Sequence, residues 1–253
     1  MSNSSEDLRP PSGGRALQIR ERVADPARVK ALTDAGLNPV LARLMAARGI
    51  DSTEALSADL SGLLLPHAMQ DLDKAAALLA GAIVQREPIC VVGDYDCDGA
   101  TASAVTVLGL RLLGAQIDYL VPNRFAHGYG LSPAVVLEVV DHPRLGKPAW
   151  IITVDNGIAS HDGVDCANEQ GIGVIITDHH LPAKTLPAAA AIVNPNVPGC
   201  GFASKNLAGV GVAFYLVAAV RAELRRRDAL PEPAPKLASL LDLVALGTVA
   251  DLV

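Results

Sequence analysis

The chain has 253 residues, half of them hydrophobic but only 3% aromatic, so its core must be built from Ala, Val, Leu and Ile. A formal charge of −6 gives no overall attraction to nucleic acid, although carboxylates gathered around metal ions lower the net charge without excluding a local basic groove. No run reaches about 18 apolar residues and the opening residues lack a secretory signal, so no membrane association is expected and the cytoplasm is the expected location.

Residues 1–15 are polar and rich in Ser, Gly and Pro, and a disordered tail is expected over 1–25. A helical N-terminal extension follows over 26–87. Within it Pro39–Gly49 reads as a helix closed by glycine, and Asp71–Gln85 as an Ala-rich helix led by an acidic residue. At residue 88 the texture changes. Ile89–Val92, Ile117–Val121, Trp150–Val154, Val174–Thr177 and Ala191–Val193 are predicted strands. Helices are predicted near 100–113, 131–141 and 160–170, then at 207–227 and 235–248. Short Val/Ile runs separated by helices predict an α/β domain over 88–253, a parallel sheet covered on both faces. The four cysteines (Cys90, Cys97, Cys166 and Cys200) form no C-x-x-C pair, which predicts free thiols rather than a zinc knuckle.

Three predicted strands run straight into acidic clusters. The first leads into Asp94-Tyr95-Asp96-Cys97-Asp98-Gly99, the third into Asp155-Asn156-Gly157, and the fourth into Asp178-His179-His180. In an open parallel sheet the ligand crevice lies beyond the carboxyl ends of the strands, so all three clusters are expected at one edge. Five carboxylates and two imidazoles in one place require cations to neutralise them. Oxygen-rich ligands with one or two histidines suit Mg²⁺ or Mn²⁺. Two such ions can activate a water and clamp both oxygens of an in-line phosphoryl displacement. Asp155, alone at its strand end, is the candidate bridging carboxylate. The Asp-x-Asp-x-Asp-Gly run also fits the start of a calcium loop, but the twelfth position of that loop demands Glu and here holds Val105.

In this order and context the three clusters resemble the DHH phosphoesterase superfamily, and within it the exonucleases specific for single-stranded DNA. Pro122–Phe125, Gly128–Ser132, Asn194-Pro195-Asn196, Leu207–Phe214 and Ala245–Asp251 carry the resemblance further, over roughly residues 40 to 253. It implies 5′ to 3′ hydrolysis of single-stranded DNA to 5′-mononucleotides with two Mn²⁺ or Mg²⁺ ions, in DNA repair and recombination. Asp96, Asp98, Asp155, His179 and Asp251 would be metal ligands, with Asp94 a partial ligand and Asp178 an orienting group. Asp98, Asp155 and His180 would carry the chemistry, with His180 facing the scissile phosphate. Arg124 and the Gly209–Gly211 loop are candidate phosphate contacts. Single-stranded DNA is the expected partner, together with repair or replication proteins. The resemblance also implies a second domain beyond residue 253, so the chain is expected to hold the catalytic core alone. The rival readings are a relative acting on oligoribonucleotides, cyclic dinucleotides or pyrophosphate, and a non-catalytic scaffold of the same fold.

Overall fold

Proline and asparagine or aspartate punctuation starts the first helices of this computed structural model, which describes residues 21–56 and 62–251; the expected tail falls outside it for residues 1–20. Helix α1 (Pro26–Asp34) has Pro at its first position, and Asp25 accepts a hydrogen bond from the Ala27 N–H. Helix α2 (Pro39–Ala46) repeats the device with Asn38 and Val40. Proline costs nothing there, because that N–H has no partner within the helix. Leu32, Ala42 and Ala46 are buried between them. These helices belong to one compact unit, residues 1–63, and residues 64–253 form a second.

In the second unit, α3 (Leu72–Gln85) buries Leu72, Ala75, Ala76, Leu79, Ala80 and Ile83. The sequence reading groups this helix with the lead-in, and it packs against helix α8 (Gly209–Arg226) and strand β5 (Ala191–Val193) of the sheet unit. The remaining strands are β1 (Ile89–Val92), β2 (Ile117–Leu120), β3 (Trp150–Val154) and β4 (Gly173–Thr177), and the order β2-β1-β3-β4-β5 is parallel throughout. Alternation along each strand feeds two cores. Val91, Ile152 and Ile175 face the layer of α3, α4 (Cys97–Leu112) and α8. Cys90, Ile151, Val174 and Ile176 face α6 (Pro133–Val140) and α7 (His161–Glu169). All four residues of β1 are buried, which is why its sequence is continuously apolar.

Three elements differ from the sequence reading. A four-residue helix α5 (Arg124–His127) follows β2, started by Asn123 accepting from the Phe125 N–H. The helix expected at 207–227 begins at Gly209, because Ala208 is extended (φ −64°, ψ 158°). The helix expected at 235–248 divides into a 3₁₀ turn over Leu237–Leu240 and α9 (Leu241–Ala250). Among the described residues no helix is long and apolar enough to cross a membrane.

Candidate metal centre

The strand order reverses direction between β1 and β3, the topological switch point at which parallel α/β sheets open a crevice. Pairing of Val92 with Thr153, and of Val154 with Thr177, brings the three strand ends level. The loops that follow therefore meet. Asn156, 1% exposed, fastens two of them: its Nδ2 donates to the carbonyls of Val92 and Val154.

Each acidic side chain is placed by its own backbone device. Asp94 is buried and its Oδ1 accepts from the Tyr95 N–H. Asp96 caps α4, accepting from the Gly99 N–H at 2.8 Å. Two residues further, Asp98 is buried and both its oxygens accept backbone N–H groups from the start of α8, Gly209 at 2.7 Å and Val210 at 2.8 Å. Asp155 sits in the left-handed region (φ 60°), an uncommon conformation outside glycine that clusters at functional sites. A Cβ on Gly209 would lie 2.6 Å from Asp155 Oδ1, so only glycine lets α8 approach this carboxylate. Asp251 follows α9, whose Gly247 allows the helix onto α4: a Cβ there would lie 2.3 Å from Thr101 Oγ1.

His179 reaches into the centre. Its Nε2 lies 3.0 Å from Asp155 Oδ1, 3.6 Å from Asp251 Oδ2 and 3.7 Å from Asp98 Oδ2. The His180 ring lies 4.6 Å from that of His179 and is half exposed. Its Nδ1 pairs at 2.8 Å with Asp178 Oδ1, which also accepts the N–H groups of both histidines, while Oδ2 takes that of Ile158. Tyr129 stands over the pair, its ring 6.3 Å from His180 edge to face and its hydroxyl donating to the Asp155 carbonyl at 3.3 Å. A cleft of about 780 Å³ opens beside the cluster, lined by Asp94, Asp96, Tyr129, His161, Asp162 and His180 among others.

The electrostatics are those of a cation site. Burial pushes the Asp155 carboxyl up to about 7 against the pull of His179. Burial also raises Asp98, against its two backbone N–H bonds. For His179, burial opposes the charged form, but Asp155 outweighs it and the imidazole pKa rises. His180 is raised to about 9 by its hydrogen bond to Asp178. Burial works against the Asp178 carboxylate, yet the bonds from His180 and the backbone hold it below the ordinary range.

Three sets of donor atoms lie within 4.8 Å of one another: Asp94, Asp96 and Asp155; Asp98, His179 and Asp251; and Asp155, His179 and His180. Asp155 belongs to two of them, and its Oδ1 is buried without a well-directed hydrogen bond. Mostly carboxylate donors with imidazole at one side match hard divalent cations such as Mg²⁺ and Mn²⁺. The residues fit that group.

Of the residues singled out from sequence, Asp94, Asp96, Asp98, Asp155, His179 and Asp251 therefore come together, and His180 borders the cleft. The side chain of Arg124 lies outside the described residues. The Gly209–Gly211 loop is a correction. Its N–H groups do not await a phosphate, because those of Gly209 and Val210 bind Asp98 and that of Gly211 binds the Ala208 carbonyl. Sequence reasoning gives no role to Asn156 or to Tyr129, since their parts here are contacts to backbone carbonyls distant in sequence that no local pattern announces.

A parallel sheet of this order with acidic loops at its switch point defines a phosphoesterase-type α/β domain, and the chain belongs to the DHH family: the model of its N-terminal domain matches residues 88–248. Two relatives named single-stranded-DNA-specific exonuclease RecJ illustrate the likeness. The one from Escherichia coli (strain K12) is 52% identical over 94% of this chain and 41% of its own length. The one from Bacillus subtilis (strain 168) is 40% identical over 90% of this chain and 28% of its own. The crystal structure of RecJ from Thermus thermophilus in complex with Mn²⁺ superposes with a TM-score of 0.68 at 34% identity, over 90% of this chain and 31% of that one. The chain thus spans about two fifths or less of the length of these relatives.

Proposed function

We propose that residues 88–251 are the catalytic core of a metal-dependent exonuclease that degrades single-stranded DNA from its 5′ end to 5′-mononucleotides. The observation that carries this reading is the position of Asp155, shared between two donor sets. Asp94 and Asp96 complete one and His179 and His180 the other, while Asp98 and Asp251 form a third set with His179. When bound, a pair of Mn²⁺ or Mg²⁺ ions supplies an activated water and neutralises the phosphodiester during in-line displacement.

The chain's own groups do the rest. Asp155 bridges the two sets from a conformation fixed by the left-handed turn and the Tyr129 hydroxyl. Asp178 accepts the Nδ1–H of His180, which holds a charged imidazole with Nε2 left for the cleft. That cation stabilises charge on the phosphate oxygens. Arg124, at the start of α5, is assigned to the same phosphate. Identity of up to 52% to RecJ exonucleases supports single-stranded DNA as the substrate class, and a cytoplasmic reaction is consistent with that substrate.

The test is Mn²⁺-dependent release of mononucleotides from a 5′-phosphorylated single strand. Wild type is expected to release them and Asp155→Ala to lose activity about 10²- to 10³-fold, the scale expected when charge stabilisation at the reacting centre is removed. Release retained by Asp155→Ala overturns the bridging role. Preference for a dinucleotide over the single strand would reassign the substrate.

A further inference from the structure

Two asparagines beyond β5 give the metal centre no ligand, yet they hold the backbone of both its histidines. Asn194 is fully buried and uses both ends of its amide: Nδ2 donates to the His180 carbonyl at 3.0 Å, and Oδ1 accepts the Asn196 N–H at 2.8 Å. Asn196 Nδ2 then donates to the His179 carbonyl at 2.6 Å and to that of Lys205 at 3.4 Å. Lys205 closes the loop, its ammonium donating to the carbonyls of Pro195 at 2.5 Å and Cys200 at 3.0 Å.

The opposite side of the same peptides is held as well. Asp178 takes the N–H groups of His179 and His180. Both residues have left β4, so no strand ladder restrains them. Asp178 on the N–H side and the asparagines on the carbonyl side replace that ladder. A small rotation of the His179 peptide would swing an imidazole whose Nε2 must stay among three carboxylates, and one of the His180 peptide would disturb the Nδ1 pairing with Asp178. The residue type matters too. Aspartate at either position would lose the donor and bring one more negative charge toward a cluster already rich in them.

We infer that Asn194 and Asn196 are positioning residues that set metal affinity and turnover by fixing the His179 and His180 peptides. This inference rests on the proposed metal-dependent function. The partly exposed Asn196 gives the cleaner test, because Asn194→Ala leaves the His180 carbonyl and the Asn196 N–H without a buried partner and threatens folding.

In Asn196→Asp, calorimetric Mn²⁺ affinity is expected to fall about 10- to 100-fold, the range seen when groups behind metal ligands are removed. At saturating Mn²⁺, kcat should fall while KM for the strand stays put. Asn196→Ser, which keeps a donor, should recover part of both. A lowered melting temperature with wild-type Mn²⁺ affinity and kcat would overturn the inference. Wild type that binds no Mn²⁺ would overturn the metal reading and the clamp together, whereas wild type that binds it, with Asn196→Asp unchanged, overturns the clamp alone.

Discussion

Asp178 and Asp155 are chemically identical side chains held in opposite states by their surroundings. Asp178 is surrounded by donors and stays below the ordinary carboxylate range, whereas Asp155 is buried among other carboxylates and rises to about 7. The first therefore serves as a permanent anion for His180. If that hydrogen bond sets the His180 pKa at about 9, Asp178→Asn should return it toward the ordinary 6.5. Histidine NMR of the metal-free protein reads this directly, and an unchanged value would show that another group holds the imidazole charged. The second must surrender its proton before it can bind a cation. Mn²⁺ affinity should accordingly weaken as pH falls below about 7, which calorimetry across that range would show. A flat profile would argue that Asp155 is not a ligand.

The strands and helices that carry these residues differ in how plainly the sequence announces them. The β1, β3 and β4 runs are legible because a strand buried on both faces must be apolar throughout, and an abrupt Asp after such a run stands out. Asp251 does not stand out. Thr248-Val249-Ala250-Asp251 closes a helix, where an acidic residue is ordinary, and only the resemblance marks it. What brings it to the centre is the close contact of α9 with α4 at Gly247, a tertiary fact with no local signature. The misreading of Gly209–Gly211 has a similar origin. A glycine pair opening a helix looks like an anion cradle, and it is one, but the anion is the side chain of Asp98. Gly209→Ala tests this packing, since its Cβ would meet Asp155 Oδ1 at 2.6 Å. The overpacking should cost about 1–3 kcal/mol in denaturant unfolding, and displacement of the carboxylate should weaken Mn²⁺ binding about 10-fold or more. Wild-type affinity in a folded variant would mean that α8 moves without disturbing Asp155.

At the scale of the whole sheet unit, the centre is a source of instability until a cation occupies it. The pKa shifts fix the sign. Asp155 in the fold holds a proton up to about 7, while the unfolded chain releases it near 3.8. Across that window the folded state binds more protons, so stability falls as pH rises. Asp98 is raised as well and acts in the same direction. His180 continues the trend: its contribution is fully present below 6.5 and is lost as pH climbs through about 9. Within the centre Asp178 acts oppositely, and its contribution is lost only in acid, below the ordinary carboxylate range. The metal-free protein should therefore lose melting temperature as the solution goes from mildly acidic to mildly alkaline. Mn²⁺ should reverse this, because deprotonation that destabilises the empty cluster creates the ligands. At a free concentration about 100 times Kd, the ion should add about 2.7 kcal/mol. The gain should grow with pH and largely vanish in Asp155→Asn, which removes the charge at the same volume. Thermal scans at several pH values, with and without Mn²⁺, separate this linkage from general salt effects, for which NaCl at matched ionic strength is the control. An equal Mn²⁺ shift in Asp155→Asn would place the ion elsewhere on the molecule.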